Sequence, residues 1–125
     1  MVYQMDKAQA IHNFWSGFNI PAYDQNTVPK NAVMPYITYN VATNAMDRLT
    51  VLSASLWYYS TSWKDITNKA DEIAQEIGYG YVLEPLDNGY LMITQGTPFA
   101  QRMSDEDENI RRIYINLNAE FLTAY

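Results

Sequence analysis

The C-terminal part of the chain alternates apolar and other residues with a period of two. Successive side chains of a β-strand point to opposite faces of a sheet, so this pattern predicts a long strand with one face in a core. Such a strand needs neighbours, and the fold must therefore contain a sheet. The inward positions are Ile113, Ile115, Leu117, Ala119 and Phe121, and the opposite face carries Arg112, Tyr114, Asn116, Asn118 and Glu120.

Two segments have the spacing of amphipathic helices, with apolar residues three and four positions apart. The first runs from Met5 to Phe18, with Ala8, Ile11, Phe14/Trp15 and Phe18 on its apolar face, and ends near Gly17. The second begins after a capping-box-like Ser62-Trp63-Lys64-Asp65 sequence and ends at Gly78, a residue suited to a left-handed stop.

Four further segments are rich in β-branched and aromatic residues and predict strands. A connection at 43–47 separates the first two, and the turn sequence Asn88-Gly89 predicts a hairpin between the last two. Two regions lack periodicity and are expected to be loops: a long loop or arm at 19–33, and Gly96–Met103. The four strand segments are Tyr36–Val41, Leu49–Tyr59, Tyr79–Leu86 and Tyr90–Gln95.

These elements predict one domain over residues 1–125. Five strands with only two helices cannot form an all-parallel wound sheet, because parallel pairs need crossover connections. We therefore expect an α+β fold with a mostly antiparallel five-stranded sheet, mixed pairing being possible, and two helices packed on one face.

The surface composition is unusual, since charged residues are 18% of the chain and tyrosines number 11. Average soluble domains are about 25% charged, and interfaces favour Tyr while they deplete Lys and Glu. A surface built for protein contacts and a merely uncharged monomer surface both agree with this composition. No apolar run approaches the roughly 20 residues of a spanning helix, so we expect no membrane partner.

The net charge of −6 arises entirely within residues 61–125, and no cluster of Lys and Arg occurs. Tight nucleic-acid binding requires such clusters, so the chain is not expected to grip DNA, although DNA could pass along it. The run Asp105, Glu106, Asp107 and Glu108 is interpreted as a solvated loop that faces a channel or a basic partner. Chelation of a divalent cation is the alternative, which contiguous carboxylates serve less readily than alternating ones.

Residues with catalytic chemistry are sparse. The one histidine, His12, has no Asp or Glu at metal-ligand spacing beside it, and cysteine is absent. Ser16-Gly17 is not a nucleophile elbow, and five scattered glycines form no phosphate-binding loop. We expect no catalytic, metal or cofactor site, and no enzymatic activity.

The residues from Tyr36 to Tyr125 resemble the small tail-terminator or tail-completion proteins of long-tailed bacteriophages. The resemblance is carried by Pro35-Tyr36-Ile37-Thr38-Tyr39, by Gly89-Tyr90-Leu91-Met92-Ile93 and by Thr97-Pro98-Phe99-Ala100-Gln101-Arg102-Met103. It continues through the acidic loop and Ile110-Arg111-Arg112-Ile113-Tyr114-Ile115-Asn116-Leu117 to Glu120-Phe121-Leu122.

This resemblance implies an α/β virion protein that forms a ring, commonly a hexamer, at the head-proximal end of the tail tube. Such a ring stops tube polymerisation and joins the tail to the head after assembly in the host cytoplasm. The implied partners are other copies of the chain, the tail tube protein and the neck or connector proteins, while DNA passes through without specific binding. We expect subunit or partner contacts at Tyr23, Phe99, Gln101, Arg102 and Tyr114.

Two alternative functions remain open at this point. One is a neck or stopper protein that completes the head, which would bind the portal or adaptor rather than the tube. The other is a small α+β ligand-binding module, which requires a pocket with convergent polar groups.

Overall fold

The alternating C-terminal segment lies in the middle of a six-stranded sheet. The structure, a computed structural model, describes residues 6–40 and 49–123. The predicted connection at 43–47, Met5 and Val41 lie outside the described residues. The elements in chain order are α1 (Lys7–Trp15), a 3₁₀ turn (Ser16–Phe18), β1 (Ala22–Asp24), β2 (Tyr36–Tyr39), β3 (Leu49–Tyr59), α2 (Lys64–Ile77), β4 (Val82–Leu86), β5 (Gly89–Met103) and β6 (Ile110–Thr123).

The strand order is β1-β2-β3-β6-β5-β4, with β1 parallel to β2 and every other pair antiparallel. The α+β class and the mostly antiparallel mixed sheet are confirmed, but the predicted number of five strands is wrong. The additional strand, β1, lies inside the segment 19–33 that was expected to be a loop or arm. The three residues of β1 are too few to show the alternation of a strand. Backbone hydrogen bonds define this strand, such as the one that Ile37 N donates to Pro21 O at 2.8 Å.

The predicted loop Gly96–Met103 is also wrong, because these residues continue β5. Pairing with β6 shifts register between Gln95 and Ala100, which hides the period of two in the sequence. Gly96 makes the close approach possible: a Cβ there would lie 2.8 Å from the carbonyl carbon of Asn116, and closer still to its oxygen.

The hairpin between β4 and β5 is confirmed, although its turn lies one residue earlier than predicted. Leu86 pairs with Gly89, so the two turn residues are Asp87 and Asn88. Asn-Gly sequences favour hairpin turns because both residues tolerate positive φ, but this turn does not use it, since only Asn19 and Gly78 have positive φ among the described residues.

Both helices begin and end close to the predicted positions. The Asp6 carboxylate accepts a bond from Gln9 N at 2.8 Å and caps α1, whose regular helix ends at Trp15 before the 3₁₀ turn. The predicted capping box of α2 does not form, because the Ser62 hydroxyl accepts from Lys64 N at 3.1 Å rather than from the Asp65 amide. Gly78 ends α2 with φ of 65°.

A single core lies between the two helices and one face of the sheet, as expected. All five inward positions of β6 are buried, which confirms the alternation. Ala8, predicted on the apolar face of α1, is instead exposed, and Ala10 takes its place in the core. The largest fully buried side chains are Trp15, Ile11, Ile37, Leu52, Leu56, Ile66, Ile73, Leu91, Ile93, Ile115 and Leu117.

In the part of the chain that the structure describes, neither helix has the length and apolarity that crossing a membrane requires.

Candidate functional site

The sheet face opposite the two helices is the main candidate for a contact surface, and we call it the outer face. Its side chains alternate with the core positions along each strand, and no described helix packs on it. Its charged residues are Arg112 and Glu120. The outer face comprises Tyr23 of β1; Tyr36 and Thr38 of β2; Val51, Ser53, Ser55, Trp57 and Tyr59 of β3; Leu83 and Pro85 of β4; Tyr90, Met92, Thr94, Gln101 and Met103 of β5; and Arg112, Tyr114, Asn116, Asn118, Glu120 and Leu122 of β6.

Exposed apolar side chains are concentrated on the outer face. Of the eight large hydrophobic residues that are exposed in the described part of the chain, five lie here: Val51, Tyr59, Leu83, Tyr90 and Met103. Val51 is 53% exposed and Tyr59 is 67% exposed. Apolar and aromatic residues grouped on one face are typical of a protein contact surface.

Arg112 is held in a fixed position on this face. Its guanidinium lies 4.7 Å from the ring centroid of Trp57, and its Nε donates to the Ser55 hydroxyl at 3.0 Å. The Trp57 indole in turn donates to the Thr38 hydroxyl at 2.8 Å, which links three strands. None of the described carboxylates forms an ion pair with Arg112. Trp, Tyr and Arg are the residues that most often dominate binding energy at interfaces.

The structure divides the five predicted contact residues between two sides of the sheet. Tyr23 lies on the outer face, paired with Thr38 and with its ring centroid 5.8 Å from that of Tyr36, and Gln101 and Tyr114 are paired across β5 and β6 on the same face. Arg102 points to the helix side, where its guanidinium is 4.6 Å from the Trp63 ring. Phe99 is half-buried against the core.

The acidic loop joins β5 to β6, and its four carboxylate residues are exposed, as expected for a solvated loop. Two carboxylates bind the loop's own backbone: Asp105 accepts from Asp107 N at 3.0 Å, and Asp107 accepts from Asn109 N at 2.8 Å. Within residues 6–40 and 49–123, no cluster of three or more His, Asp or Glu side chains has the arrangement of a metal site.

A cleft of about 470 Å³ lies between the acidic loop and the start of α2. Arg111 lines it, but its terminal nitrogens donate to backbone carbonyls, to Glu108 O at 2.9 Å and to Thr61 O at 2.8 Å. Among the described residues, Arg111 forms no ion pair with a carboxylate of the acidic loop. This cleft is the candidate place for a ligand under the alternative ligand-binding function.

His12 links α1 to the sheet, a contact that sequence reasoning missed. Its Nδ1 lies 2.8 Å from the Tyr39 hydroxyl, and burial together with the charge of Asp24 raises the pKa of that hydroxyl. Its Nε2 lies 3.1 Å from the Ser16 hydroxyl, which also donates to the His12 carbonyl at 2.7 Å. The spacing of four residues along the chain indicates the contact of His12 with Ser16, whereas no local spacing indicates the contact with Tyr39. These bonds orient the ring and connect two elements of the fold.

Neither the protein-family models nor the curated proteins contain a match to this sequence. The fold is similar to that of a chain in a solved structure described as the virion of a native gene transfer agent (GTA) particle, with a TM-score of 0.60. The similarity covers 89% of this chain and 83% of that chain, at 15% sequence identity. At this identity the comparison shows a shared fold.

Proposed function

We propose that the chain is a structural protein of a phage-like virion, and within that class a tail terminator. It forms a ring at the head-proximal end of the tail tube, ends tube polymerisation and provides the surface that joins tail to head. Its partners are other copies of itself, the tail tube protein and the neck proteins, and DNA passes through the ring without specific binding. The role is non-enzymatic and needs no cofactor.

The observation that carries this proposal is the outer face, which is broad, poor in charge and rich in aromatic residues. A ring subunit must bury surface against both neighbours and against the tube, which requires large faces without strong self-repulsion. The fold shared with a chain of the GTA virion supports the same class of function. The acidic loop suits a channel wall, because like charge keeps DNA from adhering.

The test is made on particles assembled without this protein. Their tails should be overlong or unable to join heads, and adding the purified protein should cap them. Tubes of normal length that join heads efficiently in its absence would eliminate the terminator function and leave the neck protein or the ligand-binding module.

Two matched substitutions connect this test to the outer face. Val51→Glu places a charge on the outer face, whereas Val33→Glu places the same charge in the loop before β2, where the side chain is 77% exposed. We expect Val33→Glu to restore capping and Val51→Glu to restore it poorly, with both variants folded by circular dichroism. Equal capping by the two would contradict a contact role for the outer face.

A further inference from the structure

The second half of β5 lies at an unpaired edge of the sheet. On one side β6 pairs with residues 100–103, whereas on the other side β4 pairs only with residues 89–93. In the described part of the chain, no strand lies beside residues 100–103 on the β4 side, and all four residues are exposed. An unpaired strand edge is a template for pairing with another chain.

The hydrogen bonds of β6 show which of its residues bond to β5. Ser60 N donates to Asn109 O at 2.7 Å, directly beyond the last registered pair of β3 and β6. Neighbouring residues of an antiparallel strand bond to opposite sides, so the odd-numbered residues of β6 bond to β3. The even-numbered residues, among them Arg112 and Tyr114, therefore bond to β5.

The same alternation fixes the backbone groups that face the open edge. Met103 and Gln101 are the β5 partners of those even-numbered residues, so their N–H and C=O groups point toward β6. The N–H and C=O groups of Ala100 and Arg102 therefore point to the open side. They form two donors and two acceptors, spaced as one edge of a strand.

The two outermost strands of the sheet are less suited to accept a further strand. In β4 the outward residues are Leu83 and Pro85, because their partners Met92 and Tyr90 bond to β6, and proline has no N–H to donate. In β1, three residues long, the outward residue Ala22 is only 9% exposed. The second half of β5 is therefore the edge that the described sheet leaves open.

The open edge leads directly into the acidic loop. Met103, the last residue of β5, lines the cleft of about 470 Å³ together with Asp105 and Glu108 of that loop. The nearby arginines are Arg102 and Arg111, and neither forms an ion pair with a described carboxylate. Four carboxylates and two guanidinium groups leave this end of the edge with a net negative charge.

We propose that the open edge of β5 binds an extended segment of a different protein by strand addition, with a Lys or Arg of that segment in the cleft beside Asp105 and Glu108. In such contacts the main-chain hydrogen bonds, here to Ala100 and Arg102, give affinity, and side-chain sites give specificity. We place the segment antiparallel to β5, the more stable pairing, so that its N-terminal end carries the basic residue.

The charge of the site selects a different protein over a second copy of this chain. The chain has a net charge of −6, and its one pair of adjacent basic residues is Arg111-Arg112. That pair belongs to the central strand β6, which already has a strand on each side. This inference does not rest on the terminator function, because it follows from the sheet edge and the cleft.

Nuclear magnetic resonance of the purified protein tests the proposal with synthetic peptides. The probe has lysines at its N-terminal end, followed by alternating threonine and valine residues. Its addition should slow solvent exchange of the Ala100 and Arg102 amides at least tenfold, while the Gln101 and Met103 amides are already protected in the free protein. A matched peptide with glutamates in place of the lysines should bind about tenfold more weakly.

Variants at the edge and in the loop separate the two parts of the site. Ala100→Pro removes an outward N–H without removing a bond to β6 and should lower the affinity for the lysine peptide about tenfold, whereas Ala100→Val keeps the N–H and should bind normally. Neutralising the acidic loop should lower the affinity about tenfold at low salt and little at high salt. Circular dichroism verifies that each variant is folded.

Peptide chemistry keeps the test decisive if Ala100→Pro does not fold. N-methylation of one set of alternate peptide residues should abolish binding, and N-methylation of the other set should preserve it, because a strand bonds to β5 through alternate residues. Equal binding of the two methylated peptides would overturn the proposal.

Three other results would also overturn it. They are no binding at millimolar peptide, equal binding of the lysine and glutamate peptides, and concentration-dependent dimers that protect the Ala100 and Arg102 amides without any peptide. The last result would make a second copy the occupant. Peptide binding is measured on the purified protein and capping on assembled particles, so either function can fail while the other stands.

Discussion

Replacing Gly96 by alanine should destabilise the protein, because β5 leaves no room for a methyl group there. The added Cβ would lie 2.8 Å from the carbonyl carbon of Asn116 and 3.0 Å from its Nδ2, whereas ordinary contact begins at 3.4 Å. The amide side chain can rotate away. The carbonyl cannot, since it belongs to the backbone of the central strand β6.

Two opposing effects decide the size of the change. Alanine lowers the entropy of the unfolded chain, which stabilises a protein by about 0.4–1 kcal/mol where the native backbone accepts it. Overpacking a tight site costs about 1–3 kcal/mol. The steric effect is larger here because the contact is with backbone, so we expect a net loss of about 1–2 kcal/mol.

Urea denaturation followed by circular dichroism measures this loss. With a slope of about 2 kcal/mol per molar urea, the midpoint should fall by about 0.5–1 M. Gly80→Ala is the matched control, because no atom lies within 4 Å of its added Cβ, and its midpoint should stay the same or rise. If the two variants have equal midpoints, the close approach of β5 to β6 at Gly96 is wrong.

Three further predictions concern the core, a half-buried carboxyl and the acidic loop. Ile115→Asp should abolish soluble folding, because an unpaired buried carboxylate costs several kcal/mol. Asn118→Asp, on the exposed side of the same strand, should fold. Similar circular dichroism spectra for the two variants would refute the alternation of buried and exposed residues in β6. Partial burial raises the pKa of the Glu84 carboxyl above its ordinary value of 4.5, so the folded state binds this proton more tightly than the unfolded state. The folded state therefore loses stability as the pH rises from 4.5 through the raised pKa. Glu84→Gln should melt at a higher temperature than the natural protein at neutral pH, and the difference should vanish below pH 4.5. Neutralising all four acids at 105–108 to Asn or Gln should weaken salt-sensitive partner binding, and a chelator should leave the melting temperature of the natural protein unchanged; a calcium-dependent rise in that temperature, absent from the variant, would instead show a metal site.

Part of the outer face could be predicted from sequence and part could not. The alternation in β6 places Tyr114 opposite Ile113 and Ile115, so its position followed from local pattern. Gln101 and Arg102 were both expected among the contact residues, in a segment predicted to be a loop. As consecutive residues of β5 they point to opposite sides of the sheet.

The sequence by itself determined the elements whose signal is local. The inward residues of β6 and the apolar side of α2 repeat at the period of their own backbone, and burial of these residues follows from that period alone. The bounds of β3 also agree with the segment predicted from its β-branched and aromatic residues. The α+β class followed from counting such elements.

Only the tertiary structure decided what depends on residues distant in sequence. β1 is three residues long and exists through its pairing with β2, and the second half of β5 exists through its pairing with β6 beyond the register shift. The Arg112–Trp57–Thr38 arrangement joins three strands, and no spacing along the chain indicates it. Backbone hydrogen bonds between strands and cation–π contacts stabilise these features only after the sheet has brought their partners together, so their energies leave no periodic trace in the sequence.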